Sequence, residues 1–338
     1  MTAPEDLERA IVGAVPELTG EEVADVAGLS VKQAQRLWRA LGFPQADGAA
    51  AFSTADADAL TRVAAIVKEG NLDFDTIVRM TRAVGQTMDR LAEWEVATLS
   101  AQLDKTAGGQ TGGSQTGGSQ TGEPPAGGSK RDEALRLVET IGPDFEALLT
   151  YVWRRHLVAA VSRVESLEGA ADEHVAEATV GFADLVSFSA LTNRLDEDEI
   201  GDLVEVFEGR SHDVVSLHRG RVVKTLGDSV LYMATSPAEG VEIAWDIVKV
   251  IGGDQRLPDV RVGVVTGPVV LRMGDVYGPA VNLAARLVGV ARRNRVITDR
   301  HTAERLDQEN YETRVLPARP VRGFGDLEPV AVRRTQER

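Results

Sequence analysis

The 338-residue chain contains no cysteine. That absence excludes disulfides, thiolate zinc sites and cysteine nucleophiles together. Any metal must be held by oxygen or imidazole, which favours hard ions such as Mg2+ or Mn2+. Positive charge is also scarce, with 37 Lys and Arg against 52 Asp and Glu, a net charge of −15. A field of that sign opposes nucleic acid as the main partner. No apolar run approaches the ~20 residues needed to span a bilayer, so no membrane partner is expected. The acidic start, Met1 to Glu8, lacks a signal-peptide core. The expected location is cytoplasmic.

What is present divides by composition. With 43% hydrophobic residues, the chain can bury a sizeable core, and its length favours two domains. Residues 1–106 read as helices. Thr19 is placed to cap a helix with Glu22 at its third position, a capping box. Glu21–Phe43 has the look of a helix-turn-helix, with Gly28 in the turn and Val31, Ala34, Leu37 and Trp38 spaced as a buried face. Its second helix carries Lys32, Arg36 and Arg39. Residues 1–105, however, hold 10 Lys and Arg against 17 Asp and Glu, a net of −7. DNA reading would work against that field, so a helical regulatory or dimerising module is expected instead. Ala55–Lys68 and Asp73–Leu103 continue as amphipathic helices. Ile77, Met80, Val84, Met88, Leu91 and Trp94 form a stripe that reads as core or dimer seam.

Residues 107–129 repeat Thr-Gly-Gly-Ser-Gln and contain one charge, Glu123. Such a stretch cannot build a core and is expected to be a flexible tether spanning roughly 25 Å on average. Residues 130–168 read as two connecting helices, Arg131–Ile141 and Asp144–Leu167, separated at Pro143. His156, in the second, is most simply a surface histidine, although its position would suit a pH-dependent switch.

From 174 to 334 the pattern alternates. Ala176–Phe182 is strand-like, Asp198–His218 helical, and Arg221–Met233 a hairpin whose turn Thr225-Leu226-Gly227-Asp228 needs the freedom of Gly227. Helix, strand and helix follow at Glu239–Ile251, Val260–Val265 and Ala280–Val290, and short strands are expected at Arg295–Thr298, Thr313–Leu316 and Pro329–Val332. The order gives a ferredoxin-like βαββαβ core, so the fold class is α+β, preceded by an all-α domain.

Two carboxylates stand out. Asp184 ends the first strand of this domain and Asp228 sits at the hairpin, and in this topology those strands are neighbours. Paired carboxylates without histidine or cysteine suit two Mg2+ ions ~3.5–4 Å apart acting on phosphoryl oxygens. Alone, each would read as a cap or turn residue. The run Gly274–Leu287 adds Asn282 and Arg286, four apart on one helix face. An amide and a guanidinium fork there suit developing charge on phosphate. Asp275, just before the helix, is free to accept from an exocyclic amine.

Three runs, Phe182–Ser189, Lys224–Asp228 and Gly274–Leu287, occur in an order that resembles the class III nucleotide cyclase catalytic domain. The resemblance covers about Ala176–Val332. It implies that Asp184 and Asp228 bind two Mg2+ or Mn2+ ions, that Lys224 and Asp275 read adenine, and that Asn282 and Arg286 stabilise the transition state. The implied activity is adenylate cyclase: ATP to cyclic AMP and pyrophosphate by attack of the ribose 3′ oxygen on the α-phosphorus. Guanylyl members carry Glu and Cys where this chain has Lys224 and Asp275. Cyclases of this type place their sites between head-to-tail subunits, so one chain holding all six residues implies a homodimer. A phosphate-binding Arg that many members carry after the glycine of the preceding strand is replaced here by Pro268. Arg272 or Arg322 is the candidate for the triphosphate. The N-terminal half resembles helical regulatory domains of actinobacterial cyclases, mainly over Val23–Phe43 and Trp153–His156. The rival reading is a catalytically silent nucleotide-sensing or DNA-binding regulator.

Overall fold

A computed structural model describes residues 4–43, 50–70, 72–109, 130–167, 175–272 and 274–335. Its contacts divide the chain into two compact units, Met1–Ala160 and Val161–Arg338.

The first unit begins with helices α1 (Pro4–Ile11), α2 (Gly20–Ala27), α3 (Val31–Leu41), α4 (Thr54–Glu69) and α5 (Phe74–Gly109). The capping box at Thr19 and Glu22 is present, and Ser30 with Gln33 and Ser53 with Asp56 repeat it at the next two helices. Each satisfies amide groups that a helix start leaves without partners. Gly28 ends α2 in the left-handed region at φ 66°, as a tight helix turn requires. Val23, Leu37, Leu60 and Ile77 are buried together. Trp38 packs its ring 4.6 Å from Phe52 and 4.7 Å from Phe43. Val31, expected in this core, is 39% exposed, because it occupies the first turn, before the helix reaches the packed face. The stripe on α5 divides: Ile77 is buried, whereas Met80, Val84, Met88 and Trp94 are exposed within the single chain.

Helix α5 runs three residues into the stretch read as a tether, and 110–129 lie outside the described residues. Beyond it, the two expected connecting helices are one, α6 (Lys130–Leu167), with Pro143 inside it. Proline removes one backbone donor and strains the preceding turn. The bonds of neighbouring turns carry the helix past it.

The second unit contains β1 (Val175–Leu185), α7 (Phe188–Thr192), α8 (Glu197–Leu217), β2 (Arg221–Thr225), β3 (Ser229–Ala234) and α9 (Pro237–Gly252). There follow β4 (Val260–Arg272), β5 (Asp275–Tyr277), α10 (Pro279–Val290), β6 (Arg295–Thr298) and α11 (Arg300–Ala303). The last strands are β7 (Tyr311–Val315), β8 (Arg319–Val321), β9 (Gly325–Leu327) and β10 (Val330–Arg334). The main sheet has the order β2-β3-β1-β4-β6-β10-β7, with β5 hydrogen-bonded to β4 and β8 paired with β9 apart. β4 and β6 are parallel; the other pairs are antiparallel.

Alternation along the strands sends side chains to two apolar layers. Phe207 of α8 and Ile243 and Ile247 of α9 pack on one face, and Ala284 and Leu287 of α10 on the other. Two glycines set these distances. A Cβ at Gly181 would lie 2.1 Å from the ring of Tyr232, whose hydroxyl donates to the Gly240 carbonyl. A Cβ at Gly263 would lie 2.7 Å from the Ala284 carbonyl oxygen and 2.9 Å from the Val288 nitrogen. Helix α10 therefore rests directly on the backbone of β4.

Candidate active site

Asp184 and Asp228 come together through the pairing of β1 with β3. Asp184 stands opposite Ser229, and the Leu185 amide donates to the Asp228 carbonyl at 2.9 Å. The turn at Gly227, φ 66°, thus folds Asp228 back beside the end of β1. Burial and the nearby Asp184 charge push the Asp228 carboxyl above its ordinary value, against the opposing pull of Arg261.

Two residues absent from the sequence reading hold Asp184. Ser229 donates to Oδ1 at 2.6 Å, and Arg261 donates to Oδ2 from Nε at 2.8 Å and forms an ion pair with it at 2.7 Å. Both are register partners of Asp184, Ser229 on β3 and Arg261 on β4. The available signal was a lone charge inside the apolar run Val260-Arg261-Val262-Gly263-Val264. Only the strand pairing reveals what that charge faces.

Lys224 is placed by an irregularity. β2 pairs Val222 with Tyr232 but Lys224 with Leu231, so the register slips by one residue between them. Without this bulge Lys224 would oppose Val230 and point to the α8–α9 face. With it, Lys224 joins Leu231 on the α10 face and its Nζ meets Asp275 Oδ2 at 2.6 Å. Asp275 stands just before α10, as the sequence suggested, but its carboxylate is already engaged by Lys224. It lies on β5, opposite Arg272. Burial pushes its carboxyl up, but hydrogen bonds from Lys224 and the Val276 amide, with the Lys224 charge, outweigh this and hold it below the ordinary value.

Asn282 and Arg286 occupy the exposed side of α10, one turn apart. No hydrogen bond or ion pair among the described residues joins them to Asp184 or Asp228. Helix α10 itself is seated by Gly278, whose left-handed φ of 138° and 2.9 Å Cβ approach to the Pro268 carbonyl oxygen exclude a side chain. Arg322 lies exposed in the turn between β8 and β9. One chain therefore assembles a carboxylate pair and a Lys–Asp pair, and leaves the Asn/Arg pair facing outward.

The donor set suits a hard divalent cation. Among the described residues no group of three or more His, Cys, Asp or Glu converges to hold a metal, so an ion at the two carboxylates would take its remaining oxygens from water or a phosphorylated substrate, as Mg2+ commonly does. A cation beside these carboxylates would also relieve the repulsion that helps to raise the Asp228 pKa.

Residues 170–333 match the family described as the adenylate and guanylate cyclase catalytic domain, and the chain belongs to that family. It is 41% identical over 315 residues to an adenylate cyclase of Streptomyces coelicolor, covering 92% of this chain and 76% of that protein. An adenylate cyclase of Glutamicibacter nicotianae is 37% identical over 341 residues, covering 96% and 80%. One of Streptomyces griseus is 40% identical over 303 residues, covering 89% and 71%. These matches extend well before the catalytic unit. No described helix is long and apolar enough to cross a membrane.

Proposed function

We propose that the chain is a cytoplasmic adenylate cyclase that converts ATP to 3′,5′-cyclic AMP and pyrophosphate at sites formed between two copies. The observation that best supports this is the pre-formed Lys224–Asp275 pair beside a separate carboxylate pair, on a chain related to named adenylate cyclases over nearly its full length. The Asp275 carboxylate accepts from the adenine exocyclic amine, and the Lys224 ammonium donates to a ring nitrogen. Guanine reverses donor and acceptor at those positions, so the pair discriminates against it.

Asp184 and Asp228 would hold two Mg2+ or Mn2+ ions. Bound there, the ions supply positive charge to the triphosphate and acidify the ribose 3′-hydroxyl. The chain's own part is to position. Ser229 and Arg261 fix the Asp184 carboxylate in one orientation. Arg286 and Asn282 of the second copy donate to the phosphoryl oxygens on which charge develops. Arg322 or Arg272 binds the outer phosphates. The separation of Asn282 and Arg286 from the carboxylates of their own chain supports a head-to-tail homodimer with two equivalent sites.

The helical residues 1–106, joined through 107–129 and the connecting segment 130–168 to the catalytic residues 174–334, regulate this activity. A Lys130–Arg338 fragment should turn over faster than the full chain, and an equal or slower fragment would remove autoinhibition. The dimer is tested by complementation. Lys224→Ala and Asp228→Ala, each inactive alone, should regain part of the wild-type rate when mixed, because one of the two sites in the heterodimer then lacks both lesions. A mixture no faster than its components would defeat the shared-site reading. A wild-type protein silent with both Mg2+ and Mn2+ would favour the regulator instead.

A further inference from the structure

A concentration of positive charge lies away from these carboxylates. A basin of about 630 Å3 opens over β6, β10 and β7. Ile297 packs in the α10-side core, and alternation puts Arg295 on the same face. Ala331 stands opposite both Ile297 and Arg314, and Arg333 stands opposite Glu312. Arg295, Arg314 and Arg333 therefore project from one sheet face. Arg292 and Arg293, after α10, and Arg319, at the start of β8, complete the wall.

Six guanidinium groups thus line a basin whose one lining carboxylate is Glu312, in a chain of net charge −15. Arg293 reaches Asp259 at 3.5 Å. Arg292, Arg295, Arg314, Arg319 and Arg333 form no ion pair among the described residues. Arginine cannot shed its charge by deprotonation, so their mutual repulsion is relieved by an anion. Guanidinium forks match phosphate oxygens in pairs, and several forks around one concavity select an anion with several such groups. The volume lies in the range of small-molecule sites, ~300–1,000 Å3. The negative field of the whole chain disfavours a long nucleic acid.

We propose that this basin is a binding site for a compact oligophosphate, either free or as the tail of a nucleotide, separate from the cyclase site. Asp184, Arg261 and Arg295 occupy one row across β1, β4 and β6, so the basin starts two strands, about 10 Å, from Asp184. Arg261, between them, is committed to Asp184.

The test uses the full chain in EDTA at about 0.15 M salt, with inorganic tripolyphosphate and ATP as probes in separate calorimetric titrations. The wild type should bind tripolyphosphate, and Arg314→Ala/Arg333→Ala should bind it at least about tenfold more weakly. Asn282→Ala/Arg286→Ala should leave that affinity unchanged. Tripolyphosphate should raise the melting temperature of the wild type but not of the basin variant, and Arg319→Glu serves as a second variant if the double one fails to fold. ATP binding as tightly as tripolyphosphate, with the same dependence on the basin, identifies a nucleotide tail; weaker binding identifies the free anion. Equal affinities of wild type and basin variants, loss in the Asn282/Arg286 variant instead, or equal binding of sulfate would each overturn the proposal. Because no divalent metal and no turnover are involved, failure here is distinguishable from failure of the cyclase reading.

Discussion

At Asp184 three strands meet in one row, with Ser229 on one side and Arg261 on the other. If Asp184 holds a metal ion as proposed, partners of this kind typically matter by about 10–100-fold. Arg261→Gln should lower kcat at least about tenfold and raise the Mn2+ concentration for half-maximal rate, with Ser229→Ala milder in both. Steady-state rates over a Mn2+ series measure this, and an unchanged metal dependence would reduce Arg261 to a structural ion pair. Asp228 yields a second prediction. Its raised pKa means that ionisation is disfavoured in the fold, so the cost is present above that pKa and disappears as pH falls through it. In EDTA at neutral pH, Asp228→Asn should therefore melt about 1–3 °C higher than wild type. The difference should close on acidification as wild-type Asp228 takes up a proton. Mn2+ should stabilise the wild type more than the variant. Thermal melts across pH check all three. At this scale the acids and bases were legible from residue type and motif, but their partners were not, because Ser229 and Arg261 lie 45 and 77 positions from Asp184.

Helix α10 carries Asn282 and Arg286, and its height over the sheet is set by a missing side chain. Gly263→Ala would drive a methyl group against two backbone atoms of α10 that no rotamer can move aside. The expected cost is about 1–3 kcal/mol. Activity should fall further than stability accounts for, because the helix shifts together with both side chains. A melting curve beside a rate measurement distinguishes this from simple unfolding. A neutral result would mean that β4 and α10 slide apart freely. Element types were readable where periodicity was long, as in α5, α8 and α9. The short pieces β5, β8 and β9 have only three residues each, too few for any periodic signal. The continuity of α6 through Pro143 ran against local propensity, and the intact turns on either side decided it.

The whole chain carries −15, and six of its 37 Lys and Arg line one basin. At physiological salt the protein should therefore not shift generic duplex DNA in a gel, even at micromolar concentration; a shift that declines steeply with salt would contradict this. If two copies share each site, activity per chain should rise with protein concentration until the dimer saturates. A constant specific activity over a hundredfold dilution would require either a very tight dimer or a competent single chain, and sedimentation at the lowest concentration separates the two. The exposed Met80, Val84, Met88 and Trp94 on α5 leave the sequence reading of that stripe as core or dimer seam to the same sedimentation experiment. The six family residues are spread over 103 positions, from Asp184 to Arg286, so no local pattern brings them together; order along the chain alone made them recognisable.

By itself the sequence determined the residue types available: carboxylates without thiols, a Lys and an Asp in separate motifs, an Asn and Arg one turn apart, and a helical half before an α+β half. These follow from residue identity and from periods of two and 3.6, which are local properties. Tertiary structure alone decided which face each residue serves. The one-residue bulge in β2 turns Lys224 toward Asp275 instead of into the α8–α9 layer. The pairing of β1 with both β3 and β4 surrounds Asp184 with Ser229 and Arg261. The open face of β6, β10 and β7 gathers arginines from three separate strands. Side-chain direction in a sheet reverses with every residue, so register, which is settled only when strands meet, governs where each of these charges points.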